Sequence, residues 1–105
     1  MINWAEIYGF DWDDGNARKS ADKHAVSQPE AEQVFFNQPL LILPDPIHSQ
    51  MEPRFHALGR TDAMRQLHVT FTLRAGAAGH LIRIISARDM HRRERVTYEQ
   101  VEKDS

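Results

Sequence analysis

The chain has no cysteine, which excludes disulfide scaffolds, thiolate metal centres and thiol catalysis. No apolar run approaches the roughly 18–20 residues that a membrane span requires. The opening stretch MINWAEIYGF lacks a basic region leading into an apolar one, so no secretory leader is expected. No repeat, low-complexity tract or linker interrupts residues 1–105, which are expected to form a single domain. What is present suffices for one core: 41% of the 105 residues are hydrophobic and nine are aromatic, too many for a disordered chain. A cytoplasmic, soluble, globular protein is expected.

Charge is unevenly placed. Residues 1–53 hold three basic side chains against nine acidic ones, a balance of −6, and residues 54–105 hold ten against six, or +4. Within 54–95 lysine is absent, and nine arginines face only Asp62, Asp89 and Glu94. Arginine offers a planar fork of donors suited to phosphate or carboxylate groups. Such a stretch fits a phosphate-binding surface, a grip on an acidic protein, or a solvated face balanced by the acidic half.

Residues 7–12 suit a first strand, closed by Asp13-Asp14-Gly15. A polar, helix-compatible stretch runs from Asp13 to about Ala25. Ser27-Gln28-Pro29-Glu30 is a helix start with a capping box, and Pro39 ends that element. Residues 40–43 form a short apolar run stopped by Pro44-Asp45-Pro46, and residues 54–60 read as a strand. Leu67, Val69, Phe71 and Leu73 alternate with His68, Thr70, Thr72 and Arg74, the clearest strand signal in the chain. A turn follows at 75–79. Residues 81–87 are nearly continuous in apolar side chains, as in a strand covered on both faces; Arg83 interrupts them and needs a partner, such as Asp13 or Glu30, or the surface. A charged helix is expected from about Asp89 to Lys103. The expected fold is α+β, a small antiparallel sheet flanked by helices in the order β-α-α-β-β-β-β-α.

Several segments resemble, in register, the BrnT family of bacterial toxins: Phe10-x-Trp12-Asp13, Lys23-His24-Ala25-Val26-Ser27, Glu30-Ala31 with Val34-Phe35, and Pro44-Asp45-Pro46-x-His48-Ser49. Glu52-x-Arg54-Phe55 with Gly59-Arg60, the run 82–88, and Arg92-Arg93-Glu94-Arg95 with Tyr98-Glu99 continue the likeness, which spans about residues 10–99. Asn16 stands where the family usually has lysine, Ser20 where it has asparagine, Ala25 where it has glycine, and His91 where it has a capping threonine. The resemblance implies a RelE-like fold and RNA cleavage. It also implies a BrnA-like antitoxin with a ribbon-helix-helix DNA-binding domain, and repression of the pair's own promoter. DNA would then be reached only through the antitoxin, in a complex holding two copies of each chain.

Metal-independent RNA cleavage needs a base for the 2′-hydroxyl, cations for the phosphorane and an acid for the departing 5′-oxygen. The candidate catalytic set is His24, Arg60, Arg88 and Glu94. Histidine changes charge near neutrality, and the arginines around Glu94 would keep it ionised. Lys23, Arg74, Arg83 and Arg92 are candidate RNA contacts. Phe10 and Trp12 read as core, and Tyr98 as core or site. His56, His68, His80 and His91 show no metal-ligand spacing, so neither metal nor cofactor is expected. Two other readings are a non-catalytic module gripping an acidic protein through its arginines and a DNA-binding regulator. No helix-turn-helix pattern supports the regulator.

Overall fold

Alternation along residues 67–74 and the break at Pro44-Asp45-Pro46 shape the architecture seen in the computed structural model, which describes residues 2–104. A short 3-10 turn (Trp4–Glu6) leads into β1 (Ile7–Phe10). Then come α1 (Lys19–His24), α2 (Gln28–Gln33) with a 3-10 extension (Val34–Phe36), and β2 (Leu41–Pro44). β3 (Arg54–Arg60), β4 (Gln66–Gly76), β5 (Gly79–Asp89) and α3 (Arg92–Lys103) complete the expected α+β order. The five strands form one sheet in the order β1-β5-β4-β3-β2. β2 to β5 are antiparallel, but β1 joins β5 in parallel, so the sheet is mixed. Side-chain alternation is the same for either direction, so the sequence pattern did not reveal this.

One sheet face is sealed. Ala57 of β3, Leu67, Val69 and Phe71 of β4, and Ile82, Ile84 and Ala87 of β5 pack against Val26, Ala31 and Val34 from the helical segment. Phe10 and Trp12 pack at this core's margin, as expected. The continuous apolar run of β5 is explained by a bulge. Thr70 faces Ser86 while Phe71 faces Ile84, leaving Ile85 as the extra residue. At Gly59 an added Cβ would lie 2.5 Å from Val34 Cγ1, so the absent side chain lets the turn after α2 rest on β3.

Beyond β1, side chains complete the free edge of β5. Asn16 Nδ2 donates to the carbonyls of Ile84 (2.8 Å) and Asp11 (3.0 Å), and the Ala87 N–H donates to Ser20 Oγ (2.7 Å). Both side chains are buried. The two departures at 16 and 20 thus stand in for missing ladder partners, and position 16 points into the backbone.

α1 ends with Ala25 in the left-handed region, φ 54°, a conformation costing a non-glycine residue about 1–2 kcal/mol. Arg65, in the β3–β4 turn, binds this end. It donates to the carbonyls of Ala25 (2.9 Å) and His24 (3.4 Å), to Glu30 (3.0 Å), and twice to Asp89 (2.7 and 3.1 Å). These bonds satisfy carbonyls the short helix leaves open.

The second face is covered at one end by α3. Its Tyr98 packs with Leu58, Met90 and Leu41 and donates to the Pro39 carbonyl at 2.7 Å. Tyr98 is therefore core, and burial raises its pKa.

Candidate functional site

Away from Tyr98, the second face is polar and partly open. Strand register sets its rows: Arg54–Thr72–Arg83, His56–Thr70–Ser86 and Leu58–His68–Arg88. Arg60 and Arg74 project to the same face by alternation along β3 and β4.

Two of the expected catalytic residues meet here. Arg88 donates to both oxygens of Glu94, at 2.8 and 3.1 Å, a bidentate pair between the end of β5 and the first turn of α3. Glu94 also accepts the His91 N–H at 2.8 Å, capping α3. Partial burial works to raise the Glu94 pKa, but Arg88, the His91 N–H and the nearby His68 hold it down at about 2. The groups keeping it ionised are thus Arg88 and a backbone N–H rather than its arginine neighbours in sequence.

Beside this pair stand residues that sequence reasoning passed over. The His68 ring stacks on His56 at 4.8 Å and 20°. Among the described residues, no hydrogen-bond partner is recorded for the His68 ring. Burial first, then Arg88, lowers its pKa to about 4, with Glu94 opposing. His56 is held at both ends: Nε2 lies 2.9 Å from Asp45 Oδ2, and Nδ1 lies 3.1 Å from Thr70 Oγ1. With Asp45 ionised, this assigns the proton to Nε2 and leaves Nδ1 to accept from the hydroxyl. Burial pushes the Asp45 pKa up, but contacts from His48 and His56 outweigh it and lower it. Asp45 and His48 come from the Pro44-Asp45-Pro46 loop. There Ser49 Oγ accepts the Arg54 N–H at 2.9 Å and fixes the chain's re-entry into β3. The alternation of β4 put His68 and Thr70 on this face. Only the β3–β4 register shows that His56 and His68 meet.

The expected set does not assemble as one cluster. His24 ends α1 at the β5 edge, where its carbonyl meets Arg65 and its charge acts on Asp89. Asp89 and Arg88 project to opposite faces of β5, so the His24 neighbourhood is separated from the Arg88–Glu94 pair. Arg60 bonds Glu102 at 3.4 Å, eight residues along α3 from Glu94, roughly 12 Å by helical rise. Arg74 pairs with Glu52 at 2.9 and 3.2 Å. Arg83 pairs with Asp13 at 2.9 and 3.0 Å and with Asp11 at 3.4 Å, the structural role its strand position left open. Lys23 and Arg92 are exposed.

Arg60, Arg65, Arg74, Arg83 and Arg88, five of the nine arginines in 54–95, are thus ion-paired. Several partners come from the acidic half of the chain, so folding cancels much of the charge asymmetry. Arg54 has a buried Nε without a hydrogen-bond partner among the described residues. Among the described residues, no group of three or more His, Asp or Glu side chains is arranged to hold a metal ion. An apolar hollow of about 280 Å³ between Trp4, Tyr8, Phe10 and Phe36 lies at the β1 edge and contains none of these polar groups.

The class defined by this geometry is a small α+β domain with an imidazole-bearing sheet face lined by ion-paired arginines. Residues 12–94 match the family described as the ribonuclease toxin, BrnT, of a type II toxin–antitoxin system, and the chain belongs to that family. A search of curated proteins finds no match. No helix among the described residues is long and apolar enough to cross a membrane.

Proposed function

We propose that the chain is a growth-arresting endoribonuclease that cleaves cellular RNA in the cytoplasm without a metal or cofactor. Its cleavage site is the open sheet face. The observation carrying this reading is the bidentate Arg88–Glu94 pair over that face. A guanidinium held in fixed orientation, water partly excluded around it, is preorganised for the charge of a pentavalent phosphorane. Glu94 stays ionised at all physiological pH values and orients Arg88. Arg60, Arg74 and Arg83 on the same face, Arg92 at the start of α3 and Lys23 on the rim of α1 guide the RNA backbone. A BrnA-like ribbon-helix-helix antitoxin neutralises the toxin in a complex with two copies of each chain. Through that antitoxin the pair represses its own promoter.

The test is to induce the chain alone in a bacterium and follow growth and total RNA, beside an Arg88→Ala, Glu94→Ala double variant. Growth arrest with RNA fragmentation, lost in the variant, is expected. Cleavage by the purified protein should persist in EDTA. The exposed Arg92 and Arg93 at the start of α3, outside the ion pairs above, would serve a second reading, a module that grips an acidic protein without turnover. A folded wild-type chain that leaves RNA intact would overturn the ribonuclease reading in favour of that one.

A further inference from the structure

We propose that His68 is the proton acceptor of the RNA-cleavage site, its ring positioned by the Asp45-anchored imidazole of His56. The inference rests on the ribonuclease reading and adds the residue that the geometry otherwise lacks. Cleavage needs a group to take the 2′-hydroxyl proton. Both Glu94 oxygens are occupied by Arg88, and one also by the His91 N–H. His24 lies at the β5 edge, beside Arg65 and Asp89.

His68 meets the requirement on three counts. It is the cross-strand partner of Arg88, so a phosphate gripped by that guanidinium lies beside the imidazole. Among the described residues, its ring has no hydrogen-bond partner. Its orientation is fixed by stacking on His56 at 4.8 Å, and His56 is itself tied to Asp45 and Thr70. Such support is what a positioned acid–base group needs.

In the step, the 2′-oxygen passes its proton to His68 and forms a bond to phosphorus. The P–O5′ bond breaks with its electron pair going to O5′, which takes a proton from water. The products are a 2′,3′-cyclic phosphate and a 5′-hydroxyl.

The charged or titratable groups facing His68 are Arg88 from β5, His56 from β3, Glu94 from α3 and His91 at the cap of α3. Burial and Arg88 keep the ring neutral down to about pH 4, so it is in the accepting form at neutrality. An incoming phosphate offsets Arg88 and strengthens the ring as a base.

The test measures cleavage of a short RNA by purified wild type, His68→Ala, His68→Gln and a His80→Ala control. His80, at the start of β5, lies near Glu6 and away from the pair. Expected are a loss of roughly 10²–10⁴-fold in kcat for both His68 variants and near-wild-type activity for the control. Added imidazole should partly restore His68→Ala. The wild-type acid limb of kcat/KM, near pH 4, should vanish in His68→Gln. If His68→Ala does not fold, His68→Gln decides. Either variant within threefold of wild type overturns the proposal, as does a loss that imidazole does not rescue with the acid limb unchanged. A wild-type chain that leaves RNA intact removes the ribonuclease reading and this proposal together.

Discussion

A single strand, β4, supplies both faces of the sheet, and the two could hardly differ more. Leu67, Val69 and Phe71 are fully buried beneath the helical segment. His68, between Leu67 and Val69, projects to the partly open opposite face, and among the described residues its ring has no hydrogen-bond partner. Arg65 and Arg88 repeat the contrast. Both grip a carboxylate with two donors, but Arg65 also binds Glu30 and two helix-end carbonyls. Among the described residues, Arg88 bonds the Asp89 carbonyl besides Glu94 and no other acceptor. An arginine enclosed by fixed acceptors ties the chain together; one with fewer partners beside an open face is free to meet a ligand.

That contrast can be broken most strongly in the core. Phe71→Ala should cost about 3–5 kcal/mol, read as a fall in denaturation midpoint. Arg65→Ala removes charge-assisted bonds from Glu30 and Asp89 and should cost about 2–3 kcal/mol. Arg88→Ala deprives the partly buried Glu94 of its bidentate partner and should cost about 1.5–3 kcal/mol while abolishing RNA cleavage, which Arg65→Ala should leave intact. Equal losses of cleavage in the two variants would erase the distinction between them.

The pH dependence sharpens it further. The folded-state pKa of His68 is about 4, below its ordinary value of 6.5. The unfolded chain therefore binds more protons between these values, and stability should fall as pH drops from 6.5 to 4. His68→Gln should flatten this slope in pH-dependent melts. Glu94 has the same sign in a lower window: its depressed pKa stabilises the fold above 4.5, and that contribution is lost as pH falls towards about 2. The smallest effect is at the helix end. Ala25→Gly should relieve the left-handed strain and stabilise the fold by about 1 kcal/mol, raising the melting temperature without altering cleavage.

Much of the fold was legible because it is written in local patterns. The capping box at Ser27 and Glu30 forms as expected, with the Ser27 N–H donating to Glu30 and the Glu30 N–H to Ser27 Oγ. The strand over residues 54–60 matches its expected limits. The opening helix did not begin near Asp13. Its first residues instead form turns that direct Asn16 to the Ile84 carbonyl, a contact across 68 positions that no local window contains. The candidate site was half legible. Arg88 and Glu94 are six residues apart, and a strand end followed by a helix start brings them together directly. His24 was grouped with them by residue type and by the family resemblance, and docking of α1 on the β5 edge places it beside Asp89 instead.

By itself the sequence determined most of the elements, the sealed and polar faces of β4, and a surplus of arginine on one half of the chain. Those properties follow from periodicity, capping and composition, which act over a few residues. Tertiary structure alone decided which arginines are neutralised, because Asp11, Asp13, Glu30 and Glu52 reach them only after the chain has folded back. It also decided that His56 and His68 stack, since strand register fixes neighbours across the sheet independently of their separation along the chain.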